Sequence, residues 1–235
     1  MTARVRIGLL GGSFDPVHVG HLALARSAVE AFALDRMIVI PTGSSWQKVA
    51  NPAAKPDANP AGNADRQTPA SHRLAMTRIA LQPLADSRAQ GCDWAVDDLE
   101  VRRSGPSYTI DTLRALRERL GPEAALLLIL GSDQVRNLAT WHRWQELPDF
   151  AHIAATRRER IDLVDLPPPV ERLLDERGCQ ALPDTPAGSI VLFQMPPVAV
   201  SATGVRAQLA RGDMPEELLP PGVPDYIRRH HLYNH

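Results

Sequence analysis

Cysteine is scarce in this chain: Cys92 and Cys179 are the two among 235 residues. Two thiols build no disulfide framework, and without a repeated Cys/His spacing they mark no zinc site. They read as reduced thiols of a cytoplasmic protein. An excess of either charge is missing as well, since 26 Lys and Arg face 27 Asp and Glu for a formal net charge of −1. That argues against a broad basic surface for nucleic acid, although a few local cations suffice to hold a small anion. Long apolar runs are lacking too. Val5–Leu10 is short and Arg4 and Arg6 interrupt it, so neither a secretory signal nor a membrane span is read here. No cluster of carboxylates suggests a protein-built magnesium cage.

What is present suffices for one large core: 44% of the residues are hydrophobic, and 15 Gly with 21 Pro imply many turns. The length suits a single α/β domain spanning 1–235. Strand-like and helix-like segments alternate. Val5–Leu10 reads as a strand and Leu22–Ala33 as a helix; Met37–Ile40 is a β-branched strand ended by Pro41. Ser71–Leu81 reads as a helix and Trp94–Val101 as an irregular strand. Leu113, Leu116 and Leu120 give Thr109–Leu120 a helical stripe, with Gly121 and Pro122 as stop signals. Ala124–Leu130 is continuously apolar, as a central parallel strand covered on both faces must be. His152–Ala155 and Ile190–Phe193 follow as strands, with the helix-like Val170–Glu176 between them. The alternation implies a doubly wound parallel sheet of five or six strands, with ligands at the carboxyl ends of the strands. Residues 200–235 read as a small helical C-terminal subregion. Asn51–Pro69, rich in Ala, Pro, Asn and Asp, reads as a mobile loop, either a lid or a tolerated surface insertion.

Gly11-Gly12-Ser13-Phe14-Asp15-Pro16-Val17-His18-Val19-Gly20-His21 joins the first strand to the first helix. Strand, glycine turn and helix is the layout in which backbone N–H groups and a helix N-terminus face a phosphate. Gly11 and Gly12 permit close backbone approach, while His18 and His21, three apart, share a face of the first helical turn. Imidazoles there can donate hydrogen bonds to phosphoryl oxygens. Far along the chain, Ser201-Ala202-Thr203-Gly204-Val205-Arg206 opens another helix, with Ser201 as its N-cap. Two hydroxyls at a helix N-terminus, with the Arg206 guanidinium on the first turns, make a seat for a polyphosphate. Gly131-Ser132-Asp133 closes the Ala124–Leu130 strand where a ligand is expected; Trp141 and Trp144 beyond it read equally as core. Ser107-Tyr108-Thr109-Ile110-Asp111-Thr112-Leu113 is a helix start that architecture alone would also explain.

Taken together these segments resemble the HxGH nucleotidyltransferases, and within them the bacterial nicotinate mononucleotide adenylyltransferases. The resemblance runs in order from Ile7 to Ile227, closing on Val223-Pro224-Asp225-Tyr226-Ile227. It implies a Rossmann-like fold and transfer of AMP from ATP to nicotinate mononucleotide, giving deamido-NAD and pyrophosphate. It assigns His18, His21 and Arg206 to catalysis. Carried over, ATP binding falls to Gly11, Gly12, Ser13, Phe14, His18, Gly20, His21, Lys48, Gly131, Asp133, Ser201, Thr203 and Arg206. Mononucleotide binding falls to Ser107, Tyr108, Thr109 and Trp141, the indole stacking on the pyridine ring. No residue is assigned to a metal; Mg²⁺ is expected to be held mainly by ATP phosphates. The implied partners are these two nucleotides, with no nucleic acid or membrane and room for a homo-oligomer. In one place the chain departs from the pattern: Gln47 stands where the family commonly has His, though Lys48 keeps the following cation. Another nucleotidyltransferase of the superfamily would share the first motif without needing Ser107–Thr109 and Trp141. A nucleotide sensor would not need both histidines and Arg206.

Overall fold

The structure, a computed structural model, describes residues 4–44, 67–157 and 166–233. Seven parallel strands form one sheet: β1 (Arg6–Gly12), β2 (Arg36–Pro41), β3 (Asp93–Val96), β4 (Ala125–Leu130), β5 (His152–Arg157), β6 (Gly178–Cys179) and β7 (Ile190–Gln194). Their order is β3-β2-β1-β4-β5-β7-β6, so the chain winds outward one way from β1 and returns to its other side at β4. The gap between β1 and β4 is the switch point where such sheets bind ligands, outside the carboxyl ends of the strands. Leu9 faces Ile38 on one neighbour and Leu128 on the other, which brings the ends of these strands level.

Every residue of β4 is buried, as its unbroken apolar run requires of a strand covered on both faces. Leu127 and Ile129 belong to a core packed by α1 (Val19–Phe32), α2 (Ala70–Asp86), α8 (Ala202–Leu209) and α9 (Val223–Arg229). Leu126, Leu128 and Leu130 belong to the opposite core, packed by α4 (Thr109–Leu120), α6 (Leu147–Phe150) and α7 (Pro168–Arg177). The period of two along β4 divides its side chains between the layers. Shorter helices α3 (Leu99–Arg102) and α5 (Ser132–Arg136) turn the chain at the upper edge of the sheet.

Two expectations need correction. Trp94–Val101 is not one strand: β3 ends at Val96 and α3 begins at Leu99. The Asp97 carboxylate accepts the Leu99 N–H at 2.9 Å, a local bond that turns the chain out of the ladder. The sheet also has seven strands rather than five or six, because the two-residue β6 follows α7 and pairs with β7. Most of the 51–69 loop lies outside the described residues. Its far end is tied down: Thr68 donates its N–H to Asp15 Oδ2 at 3.2 Å, and its carbonyl accepts Arg73 Nε at 2.8 Å. Among the described residues no helix is long and apolar enough to cross a membrane.

Just past β2, Gly43 passes so close to α3 that a Cβ there would lie 2.1 Å from the Glu100 carbonyl oxygen. That neighbour is backbone and cannot rotate away. Gly43→Ala is therefore expected to destabilise the protein by about 1–3 kcal/mol, the usual cost of overpacking. Urea unfolding of the two proteins checks this.

Candidate active site

The first motif leaves β1 through a sharp bend. Phe14 takes a positive φ of 48°, uncommon for a bulky residue, and its buried ring covers the turn. A Cβ on Gly12 would lie 3.0 Å from that ring, whereas one on Gly11 would meet nothing within 4 Å. Gly12 is thus needed for packing, and Gly11, which is exposed, leaves the backbone open to a ligand. His18 takes the N-cap position of α1 with extended backbone angles. His21, at the third helical position, reaches back so that its Nδ1 accepts the His18 N–H at 3.1 Å. This is half of a capping box, with imidazole in place of the usual carboxylate or amide.

The bond also sets the tautomer. A neutral His21 whose Nδ1 accepts must carry its proton on Nε2, which leaves one N–H to donate. The two imidazoles stack with centroids 3.6 Å apart and planes 19° apart, and the Phe14 ring meets His21 edge-on at 4.9 Å. Burial pulls the His18 pKa down to about 4, its own backbone hydrogen bond opposing. Burial, followed by the neighbouring His18, holds His21 well below the ordinary imidazole value. Both rings are therefore neutral at pH 7, each offering a donor and no charge.

The second motif arrives from the other end of the chain. Ser201 is the N-cap of α8 as expected, its Oγ accepting the Gly204 N–H at 3.1 Å. A Cβ on Gly20 would lie 2.8 Å from Val200 Cγ1, so the first turn of α1 packs directly on the residue before that cap. Arg206 Nη1 donates to the Asp15 carbonyl at 2.8 Å, and Nη2 lies 3.4 Å from the Thr203 hydroxyl. The structure thereby joins two motifs separated by most of the chain.

A second group gathers along the same edge of the sheet. Tyr108, the N-cap of α4, lies against His142 with ring centroids 4.3 Å apart, and Trp141 is the next residue. The Trp141 ring is half-buried, and its indole N–H has no partner among the described residues. The turn before α4 is anchored by the Ser107 N–H on the Ser44 carbonyl at 2.9 Å. Beneath it, buried Glu100 accepts the Thr112 hydroxyl at 2.8 Å, and Arg103 Nη1 donates to the same hydroxyl oxygen at 3.1 Å. Burial pushes the Glu100 carboxyl up, with Thr112 and Arg103 opposing. Gly131 and Asp133 close β4 beside the switch point; a Cβ on Gly131 would lie 2.7 Å from Asp133 Oδ1. Trp144 packs against the core beneath. Gln47 and Lys48 lie outside the described residues.

Sequence reasoning overlooked Arg73, Glu100, His142 and Tyr233, and gave Asp15 no role within its motif. Neither Glu100 nor Arg73 carried a local sign: Arg73 on the helix-like Ser71–Leu81 reads as a solvated face, and Glu100 falls in what reads as an irregular strand.

The seven-stranded parallel sheet with helices on both faces, and with the starts of α1 and α8 packed on each other, is a Rossmann-like α/β fold. The chain belongs to the cytidylyltransferase-like family, whose model matches residues 9–208. Its relatives there include the probable nicotinate-nucleotide adenylyltransferase of Herminiimonas arsenicoxydans, 40% identical over 231 residues covering 97% of this chain and 96% of that protein. The probable nicotinate-nucleotide adenylyltransferase of Aeromonas salmonicida is also 40% identical, over 97% of this chain and 96% of its own. In fold, the chain is similar to Plasmodium falciparum nicotinic acid mononucleotide adenylyltransferase complexed with NaAD (TM-score 0.66, 18% identity, 98% of each chain covered).

The depressed pKa of His18 has a consequence for stability. Between its unfolded value near 6.5 and its folded value near 4, the unfolded chain binds the proton that the folded chain refuses. Stability from this group is complete above about pH 6.5 and falls as pH drops toward 4. The expected loss between pH 7.5 and pH 5 is on the order of 2 kcal/mol. Urea midpoints at the two pH values measure it, and His18→Gln should reduce the difference.

Proposed function

We propose that this chain transfers AMP from ATP to nicotinate mononucleotide, releasing pyrophosphate and forming deamido-NAD in NAD biosynthesis. The observation that carries the reading is the Arg206 guanidinium bound at 2.8 Å to the Asp15 carbonyl, within the turn that leads to His18 and His21. A cation and two neutral N–H donors brought together at a helix N-terminus suit a phosphate chain under attack.

In the reaction, a 5′-phosphate oxygen of the mononucleotide attacks the α-phosphorus of ATP. The new P–O bond forms as the bond to the β-phosphate's bridging oxygen breaks, and that oxygen leaves with pyrophosphate. The nucleophile is an anion at neutral pH, so no general base is needed. The protein's task is alignment and stabilisation of charge on the phosphoryl oxygens. His18 and His21 donate N–H groups to oxygens near the reacting phosphorus, and Arg206 binds the leaving β- and γ-phosphates. Gly11, Gly12, Ser13, Phe14 and Gly20 shape the phosphate turn, Ser201 and Thr203 the facing helix start, and Gly131 and Asp133 the nucleotide side of β4. Lys48 adds a cation to the phosphate chain. Mg²⁺, arriving with ATP, neutralises charge on that chain when bound. The ion would be held mainly by the ATP phosphates. The two reduced-type cysteines and the implied metabolites suit a cytoplasmic enzyme.

For the acceptor, the reading assigns the nicotinate carboxylate to Ser107, Tyr108 and Thr109 at the start of α4, where the helix dipole favours an anion. Trp141 stacks on the pyridine ring. An amide in place of the carboxylate would lose a charged hydrogen bond and leave its own N–H groups unpaired, at ~1–3 kcal/mol for each mismatch.

Three outcomes are expected from pyrophosphate release with ATP, Mg²⁺ and a panel of phosphate-ester acceptors. Nicotinate mononucleotide should exceed its amide by about 10- to 100-fold in kcat/KM. Trp141→Ala should weaken both acceptors without changing that ratio much, because a stacked ring does not read the substituent. His18→Ala should lower turnover by about 10²–10³-fold while sparing ATP binding, as for removal of one preorganised donor. Release with another acceptor but not with nicotinate mononucleotide would overturn the assignment; equal use of acid and amide would remove only the carboxylate recognition.

A further inference from the structure

Tyr233 lies beyond α9, far in sequence from the phosphate turn, yet its hydroxyl donates to Asp15 Oδ1 at 2.7 Å. Asp15 is 4% exposed, and its other carboxylate oxygen accepts the Thr68 N–H at 3.2 Å. Its main-chain carbonyl is the one that receives Arg206 Nη1 at 2.8 Å. One residue in the turn thus holds three segments: the residues just before α2 through Oδ2, the C-terminal segment through Oδ1, and Arg206 through its backbone. The ring of Tyr233 and the side chain of Leu232 pack against the α1/α2 core, so the hydroxyl is presented from a fixed body. Burial, and then the Asp15 carboxylate, push the Tyr233 phenol far above its ordinary pKa, so it stays a donor at any working pH.

Resting on the function proposed above, we propose that Tyr233 is a positioning residue for AMP transfer. Its hydroxyl holds the Asp15 carboxylate, and through Asp15 it sets both the path of the turn Ser13–His18 and the direction of the Arg206 guanidinium. Without the hydroxyl, Asp15 keeps one of the two carboxylate partners it has among the described residues, and the whole turn is held less firmly. The carbonyl that orients Arg206 shifts with it. Arg206 then meets the leaving phosphates off line, which costs more in the transition state than in ground-state binding. A displacement of about 1 Å from productive alignment can cost on the order of 10²-fold in rate.

The test compares the full chain with Tyr233→Phe, which removes one oxygen and keeps the packed ring. Two readouts are taken: amide hydrogen exchange over residues 13–18 and 203–206 without ligand, and steady-state kinetics with ATP, Mg²⁺ and nicotinate mononucleotide. The expected result is faster exchange in both segments, kcat lower by about 10- to 100-fold, and KM for the mononucleotide within about threefold. Asp15→Asn is then combined with Tyr233→Phe. If both act through one contact, the double variant should lose little more than the worse single variant. Unchanged exchange, kcat within twofold of the parent, or full additivity of the two substitutions would overturn the proposal. Should the parent itself release no pyrophosphate with nicotinate mononucleotide, the proposed function fails. Exchange over the two segments, with the same cycle scored on whichever acceptor the panel finds, then decides the role of Tyr233.

Discussion

The guanidinium of Arg73, 1% exposed, is the contact on which the site depends. A buried charge must be matched by acceptors, and Arg73 finds three, all main-chain carbonyls at places where the chain leaves regular structure. Nη1 binds Ser13 of the turn after β1 at 2.7 Å, Nη2 binds Gly43 past β2 at 2.9 Å, and Nε binds Thr68 at 2.8 Å. Each such charged hydrogen bond contributes about 1.5–3 kcal/mol, desolvation already included. Burial lowers its pKa while the nearby Asp15 carboxylate opposes, so the cation is compensated within the same cluster. The planar fork of Arg reaches all three carbonyls at once; the single ammonium of Lys would not.

From that hub outward, charges and neutral donors are separated. Arg73 carries structural charge below the turn, and Arg206 carries charge at its surface, oriented by the Asp15 carbonyl. Between them the stacked histidines are neutral because they are buried against each other and against Phe14. A neutral imidazole donor does not repel its neighbour, so two of them fit within 3.6 Å. Two imidazolium ions at that spacing would not. The crowding that suppresses charge is thus what allows two neutral donors to stand side by side.

Much of this was legible in the chain. The Gly11–His21 string, the Ser201 cap and the unbroken apolar run of β4 each have a local cause: backbone freedom, a side-chain oxygen three residues ahead of an amide, burial on both faces. The family resemblance joins them into one activity without any contact between them. Less legible were Trp94–Val101, where a single carboxylate, Asp97, ended a strand that its composition would have continued. The two-residue β6 was missed because so short a strand has no period of its own and exists only by pairing with β7. Arg73, Glu100 and Tyr233 were missed for a common reason: the partners of each lie across a loop, a strand end or the length of the chain.

The sequence by itself determined the parallel α/β architecture, the glycine turn after β1, the second helix start at Ser201 and the class of reaction. All of these are encoded in residues close together along the chain. Only the tertiary structure decided that both histidines are neutral, that Arg206 takes its direction from Asp15, and that Arg73 and Tyr233 brace the turn from below and from the C-terminal segment. Burial and long-range hydrogen bonds set these properties. They depend on which residues become neighbours after the sheet has wound on both sides of β1.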